Sequence, residues 1–197
     1  IDHPKVMSYL EVLKEHKPVG ERVAIIGAGG IGFDVAEYLS HEGESPSLST
    51  EHFFKEWGVD MSNSVRGGIE GVVPQPEASP RKIYLIQRSA GKPGKKLAKT
   101  TGWIHRSALK MKKVEMIGGA SYEKIDDEGL HVLVKDTPQV LDVDHIIVCA
   151  GQHSNKDLYD GLVEAGINTH LIGGADLAAE LDAKRAIDQG TRLALSL

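Results

Sequence analysis

VAIIGAGGIGFDVAEYL, Val23 to Leu39, decides the fold. It opens with a short apolar run of the kind found in strands buried on both faces of a parallel sheet. FDVAEYL, at its end, reads as a helix. Between them Gly27, Ala28, Gly29, Gly30, Ile31 and Gly32 give the spacing GxGxxG. The first glycine permits a tight turn, the second lets backbone approach a pyrophosphate, and the third lets helix and strand pack closely. The helix start then points N–H groups and the positive dipole end at the phosphates. The bare pattern is weak, but a strand before it and a helix after it make it strong.

Working outward, the next strand is KIYLIQ, Lys82 to Gln87. Dinucleotide sites usually place an Asp or Glu at the end of this strand, where it binds the ribose hydroxyls. Here the strand ends in Gln87, Arg88 and Ser89. No carboxylate is present to repel a 2′-phosphate. Arg88 can give that phosphate a charge-assisted, bidentate hydrogen bond, and Ser89 can add a hydroxyl. The expectation is NADPH in preference to NADH, although a lone arginine is more often a solvated surface charge.

The strand is delayed by residues 41–81, rich in Gly, Ser and Pro, which read as a surface insertion. Its one periodic segment, EHFFKEWG, predicts a short helix capped by Ser49 or Thr50. Residues 4–16 have helical spacing, with Pro4 near the start. Residues 100–113 read as another helix. VEMI, SYEKID and HVLVK read as strands, the last two joined at Asp127-Glu128-Gly129 as a hairpin. QVLDVDHIIVCAG reads as one strand, HLIGGAD as a strand and a glycine turn, and AELDAKRAIDQGTRLALSL as a closing helix. The fold class that follows is α/β, a Rossmann-like parallel sheet with a small antiparallel β element.

Composition narrows the partners. Of 197 residues, 41% are hydrophobic and 26% charged, the balance of an ordinary globular chain. A net charge of -5 gives no reason to expect nucleic-acid binding. No apolar run approaches the ~20 residues of a membrane span, so no signal peptide and a cytoplasmic location are expected. One cysteine, Cys149, excludes a disulfide framework and a cysteine metal site within the chain. It reads as a small hydrophobe in a buried strand. His41, His52, His131, His145, His153 and His170 show no metal-ligand spacing, Asp126 and Asp127 read as a solvated turn, and His105 as a helix cap or packing residue. No metal site and no nucleophile–base pair is expected. Hydride transfer needs only that nicotinamide be held against flavin.

VAIIGAGGIGFD, LIQRSAGKPG, KTTGWIHRS, SYEKIDDEGLHV, VCAGQ and HLIGGAD with ELDAKRAI run nearly from end to end of the chain. In them it resembles the C-terminal part of the bacterial NADPH-dependent 2,4-dienoyl-CoA reductases, relatives of trimethylamine dehydrogenase and the NADH:flavin oxidoreductases. That resemblance implies an N-terminal TIM barrel with FMN, a 4Fe-4S cluster, and a split FAD domain with an NADPH domain inserted. Electrons would pass from NADPH to FAD, the cluster, FMN and finally an unsaturated fatty acyl-CoA in beta-oxidation. The chain would be a piece of that whole: residues 1–17 a connector from the first half of the FAD domain, 18–150 the NADPH domain, 151–197 the rest of the FAD domain. Its partners would be the barrel and the other FAD half, and it would not run the full reaction alone.

The resemblance also implies site residues. Ala150 and Gly151 match the return to the flavin domain. Gly174 and Asp176 match a flavin motif whose aspartate reaches the ribityl chain of FAD. Leu181, Asp182 and Ala183 open a helix whose N–H groups would face the flavin pyrimidine edge. Lys92 and Trp103 fall where the domain would reach the CoA of the substrate, a lysine for phosphate and an indole for adenine. The plainer alternative is a solvated lysine and a packed indole. The same pattern also fits the corresponding domain of another enoate reductase or amine dehydrogenase, or a non-catalytic nucleotide-binding module. The flavin-type tail argues against the last.

Overall fold

The computed structural model describes residues 2–68, 70–179 and 182–197. The chain divides into two compact units, residues 1–150 and 151–197.

The first unit is built on a five-stranded parallel sheet. Its strands are β1 (Val6–Ser8), β2 (Arg22–Ile26), β3 (Lys82–Gln87), β4 (Glu115–Gly118) and β8 (His145–Val148). They lie in the order β1-β8-β2-β3-β4. A three-stranded antiparallel sheet holds β5 (Ala120–Asp126), β6 (Gly129–Val134) and β7 (Thr137–Leu141). The helices of this unit are α1 (Tyr9–Leu13), α2 (Gly30–Leu39), α3 (Thr50–Trp57) and α4 (Gly102–Met111). The expected α/β class and its antiparallel element are both present.

Side chains along a strand point alternately to opposite faces, and the central strands divide accordingly. Val23, Ile25, Ile83, Leu85 and Ile147 pack with Val12, Phe33, Val35, Leu39 and Leu109 on the helical side. Ala24, Ile26, Tyr84, Ile86 and Ile146 pack with Leu130, Val132 and Leu141 of the antiparallel sheet on the other. That is why β2 is apolar without alternation: both of its faces are covered. Each fully buried aliphatic side chain contributes roughly 1.5–3 kcal/mol relative to exposure.

Two elements of this unit differ from the sequence reading, and a third agrees with it. The helix expected over residues 4–16 is shorter, because Val6–Ser8 pair in parallel with Ile146–Val148 and extend the sheet. Ser8 then caps α1 in a reciprocal box with Glu11. The single strand expected over QVLDVDHIIVCAG is two strands in two sheets, β7 and β8. The break falls at Asp142 and Asp144, both of which pair with the Arg22 guanidinium. In the insertion the expected helix forms as α3, capped by Ser49, whose hydroxyl accepts from the His52 N–H.

The second unit holds α5 (Tyr159–Glu164), α6 (Gly173–Asp176) and α7 (Ala183–Ser196). HLIGGAD is not a strand: His170 to Ile172 are irregular, and the last four residues form the short α6. None of the residues of α5 or α7 is buried. No helix among the described residues is long and apolar enough to cross a membrane.

Candidate nucleotide site

The site is assembled where the parallel strands end. Gly27 follows β2 at φ 111°, a conformation glycine adopts and L side chains rarely do. Its N–H donates to the Ile86 carbonyl at 2.8 Å, so the ladder between β2 and β3 runs one residue past β2. A Cβ on Gly27 would lie 2.9 Å from the Cys149 carbonyl carbon and 3.1 Å from the Ala150 nitrogen. The backbone leaving β8 is therefore packed against the turn, which brings Ala150 to it. Gly151 begins the second unit.

Gly32 is needed for packing of another kind. A Cβ there would lie 1.7 Å from the Gly27 carbonyl oxygen. Only glycine lets α2 start this close to β2. Ile31 leans on the helical-side core and Ala28 is buried in it. Gly29 and Gly30 behave differently, since a Cβ on either would meet nothing within 4 Å. Gly29 caps α2 without any side-chain hydrogen bond. The first N–H groups of a ten-residue helix thus face open space beside two glycines, room that suits a pyrophosphate.

Arg88 leaves β3 next to this turn, because the register pairs Ile26 with Ile86. Its side chain is exposed and makes no ion pair among the described residues. The Gln87 amide donates to the Ser89 carbonyl at 3.0 Å, while the Gly119 N–H reaches the same oxygen at 2.9 Å. The Ser89 backbone is thereby fixed and its side chain left exposed. A residue the sequence did not single out adds to this corner. Tyr122 reaches across from β5, and its hydroxyl donates to the Ile86 carbonyl at 3.4 Å. Burial raises the phenol pKa, and the nearby Arg88 charge opposes that rise. Only the alternation of β5 pointed to Tyr122.

Lys92 and Trp103 line one cavity of about 450 Å³ on the outer side of β4, with Arg106, Lys110 and Met116. Trp103 is not packed beneath its helix: it is 55% exposed, and its indole N–H donates to the Thr100 carbonyl at 3.0 Å. Lys92 is exposed as well. His105 packs on its neighbour helix, Nδ1 lying 2.8 Å from Glu37 Oε1.

In the second unit Gly174 and Asp176 sit in α6. Asp176 accepts from the Gln189 amide at 3.1 Å, and the carbonyl of that amide accepts the Gly173 N–H at 2.8 Å. α6 is thereby tied to α7. Asp182 caps α7 by accepting the Arg185 N–H at 2.8 Å. At least one N–H at this helix end is therefore already used, and Ala183 is its first residue. Leu181 lies outside the described residues.

One cluster was not visible in sequence spacing. Asp126, Glu128 and His131 hold their ligand-type atoms within 4.8 Å of one another at the β5–β6 hairpin. His131 Nε2 is 2.8 Å from Asp126, and the Lys124 ammonium is 2.6 Å from the same carboxylate. Hydrogen bonds from Lys124 and His131 hold the pKa of that acid well below the usual range, Lys124 contributing most.

Comparisons with known proteins bear on the fold and the family. The chain is 26% identical over 172 residues to a cinnamate reductase of Clostridium sporogenes, covering 87% of this chain and 21% of that one. It is 23% identical over 171 residues to a metal reductase of Desulforamulus reducens, covering 87% and 24%. The chain thus spans about a quarter of the length of these curated relatives. Among solved structures it superposes on a 2-naphthoyl-CoA reductase with a TM-score of 0.64 at 13% identity, covering 95% of this chain and 23% of the other. Histamine dehydrogenase from Rhizobium sp. 4-9 gives a TM-score of 0.64 at 16% identity, covering 99% and 26%. A family model described as pyridine nucleotide-disulphide oxidoreductase matches residues 3–182. That match takes in the parallel sheet together with its glycine turn, and the chain belongs to the pyridine nucleotide-disulphide oxidoreductase family.

Proposed function

We propose that the chain is the NADPH-binding, electron-input portion of a larger flavin-dependent reductase, of the 2,4-dienoyl-CoA reductase type, acting in the cytoplasm on unsaturated fatty acyl-CoA in beta-oxidation. The observation that carries the reading is Arg88: a guanidinium leaving β3 beside the glycine turn, with no ion pair among the described residues. A cofactor with a 2′-phosphate supplies the missing anion.

When bound, NADPH would supply a hydride and FAD would be its acceptor. The chain's own residues bind and orient. Gly27 to Gly32 and the start of α2 take the pyrophosphate, Arg88 and Ser89 the 2′-phosphate, and the backbone at Ala150 closes the turn. Asp176 and the Asp182–Ala183 helix start would hold part of FAD, and Lys92 with Trp103 would take the CoA nucleotide. The FMN and 4Fe-4S centre implied by the resemblance would belong to other segments. The names of the similar reductases support a reductase of an activated double bond, and the similarity to histamine dehydrogenase keeps the amine dehydrogenases as the rival.

Calorimetry with both nucleotides tests the cofactor. NADPH should bind at least tenfold more tightly than NADH, and Arg88→Ala should remove that difference while leaving NADH unchanged. Equal affinities in the parent chain would overturn the reading. The substrate class is tested on the full-length protein by NADPH oxidation with a 2,4-dienoyl-CoA. Turnover with amines and none with the thioester would assign the rival instead.

A further inference from the structure

Trp103, Arg106 and Lys110 follow one another in α4 at spacings of three and four residues, so they share one face of the helix. That face lines the cavity of about 450 Å³ beside β4, which Lys92 and Met116 also line. Arg106 and Lys110 are therefore a like-charged pair one helical turn apart, an arrangement that destabilises a helix. No acid offsets it. Lys92, Arg106 and Lys110 make no ion pair among the described residues, whereas Lys82 and Lys112 pair with Glu115 and Glu56. No acid lines the cavity among the described residues either. The imbalance is written into the sequence. Arg88 to Val114 holds nine lysines and arginines and no aspartate or glutamate, in a chain whose net charge is -5. Cations gathered on one face without counter-charges raise the local concentration of an anion.

These groups are open to a ligand. Lys92 and Lys110 are exposed, Trp103 is more than half exposed, and Arg106 is half-buried. Arg106 Nη1 donates to the Gly94 carbonyl at 2.8 Å, which holds the guanidinium against the loop that carries Lys92. The indole is held by its edge, through the bond to the Thr100 carbonyl. A ring fixed in that way offers a face on which a base can stack. Arg106 brings a planar fork and Lys110 a point charge, the two means by which side chains grip a phosphate. A stacking surface ringed by three cations suits a nucleotide with more than one phosphate group.

Resting on the proposal that Lys92 and Trp103 take the CoA nucleotide, we infer that Arg106 and Lys110 are the specificity residues of that site. They take the phosphate on the 3′ position of the CoA ribose, and the cavity thereby selects CoA over its dephospho form. The test is a calorimetric titration of the chain, already holding one equivalent of NADPH, with CoA and with dephospho-CoA. CoA should bind at least tenfold more tightly. Lys110→Gln and Arg106→Gln should each weaken CoA about tenfold and leave dephospho-CoA unchanged, and Lys110→Arg should keep the preference. Lys110 is exposed, so its variants decide the matter even if Arg106→Gln folds poorly. Equal binding of the two ligands by the parent chain, or a Lys110→Gln that weakens both alike or neither, would overturn this inference and leave the CoA role of Lys92 and Trp103 standing. Binding of neither ligand would overturn both.

Discussion

Gly30 and Gly32 stand two residues apart and do different things. Gly32→Ala drives a methyl into the Gly27 carbonyl oxygen, which neither backbone can avoid. Its expected cost is about 3 kcal/mol, the upper range for overpacking, read as a lowered denaturation midpoint. Gly30→Ala meets nothing in the protein. Its stability should stay within about 0.5 kcal/mol of the parent or rise slightly, since alanine favours a helix. Its NADPH affinity should fall at least tenfold, because the methyl enters the space assigned to the pyrophosphate. An unchanged affinity would remove that assignment. Cys149 gives a chemical check on the same corner. Burial pushes its thiol up to about 12, so at pH 8 almost no thiolate is present. A disulfide reagent should label it slowly in the folded chain and at once in denaturant. The glycines were legible in the sequence because each answers a local backbone demand. Tyr122 was not, because its place beside Arg88 depends on how two sheets stack.

At the scale of elements, α1 shows how a short cap can be followed by pH. The Glu11 carboxyl is held down to about 2, first by Lys17 and then by the Ser8 backbone and hydroxyl. A depressed carboxylate stabilises the fold above its ordinary pKa and loses that contribution as pH falls through the folded value. Glu11→Gln should therefore flatten the stability profile between about pH 4.5 and pH 2 and leave its shape near neutrality unchanged, as seen by urea denaturation at stepped pH. The sequence hid β1 because three residues carry no period, and their strand character comes only from pairing with β8. It hid the break between β7 and β8 for a related reason. Asp142 and Asp144 turn outward to a guanidinium 120 and 122 residues earlier. The central strands, by contrast, were readable because burial on both faces leaves a mark in the composition itself.

At the scale of the molecule, the two units differ in how well they are covered. The first carries two buried clusters, one on each face of its parallel sheet. In the second, Leu158, Ile187 and Leu195 are 78%, 67% and 84% exposed. Amide hydrogen exchange should accordingly be fastest in residues 151–197 and slowest in Val23–Ile26, Leu85–Ile86 and Ile146–Ile147; uniform protection across both units would contradict this. The flavin half of the site was legible only as a motif. HLIGGAD supplies Asp176, but the expected strand is irregular chain here and α7 buries nothing.

The detour of residues 41–81 between α2 and β3 has one more consequence. β2 and β3 are bound to each other along five registered pairs whatever the length of the thread between them. A single cut by a protease near Asn63 or Val73, both exposed, should therefore leave two pieces that travel together through a sizing column. The same stretch is where a foreign domain or a new pair of termini could be placed with the least disturbance to the glycine turn.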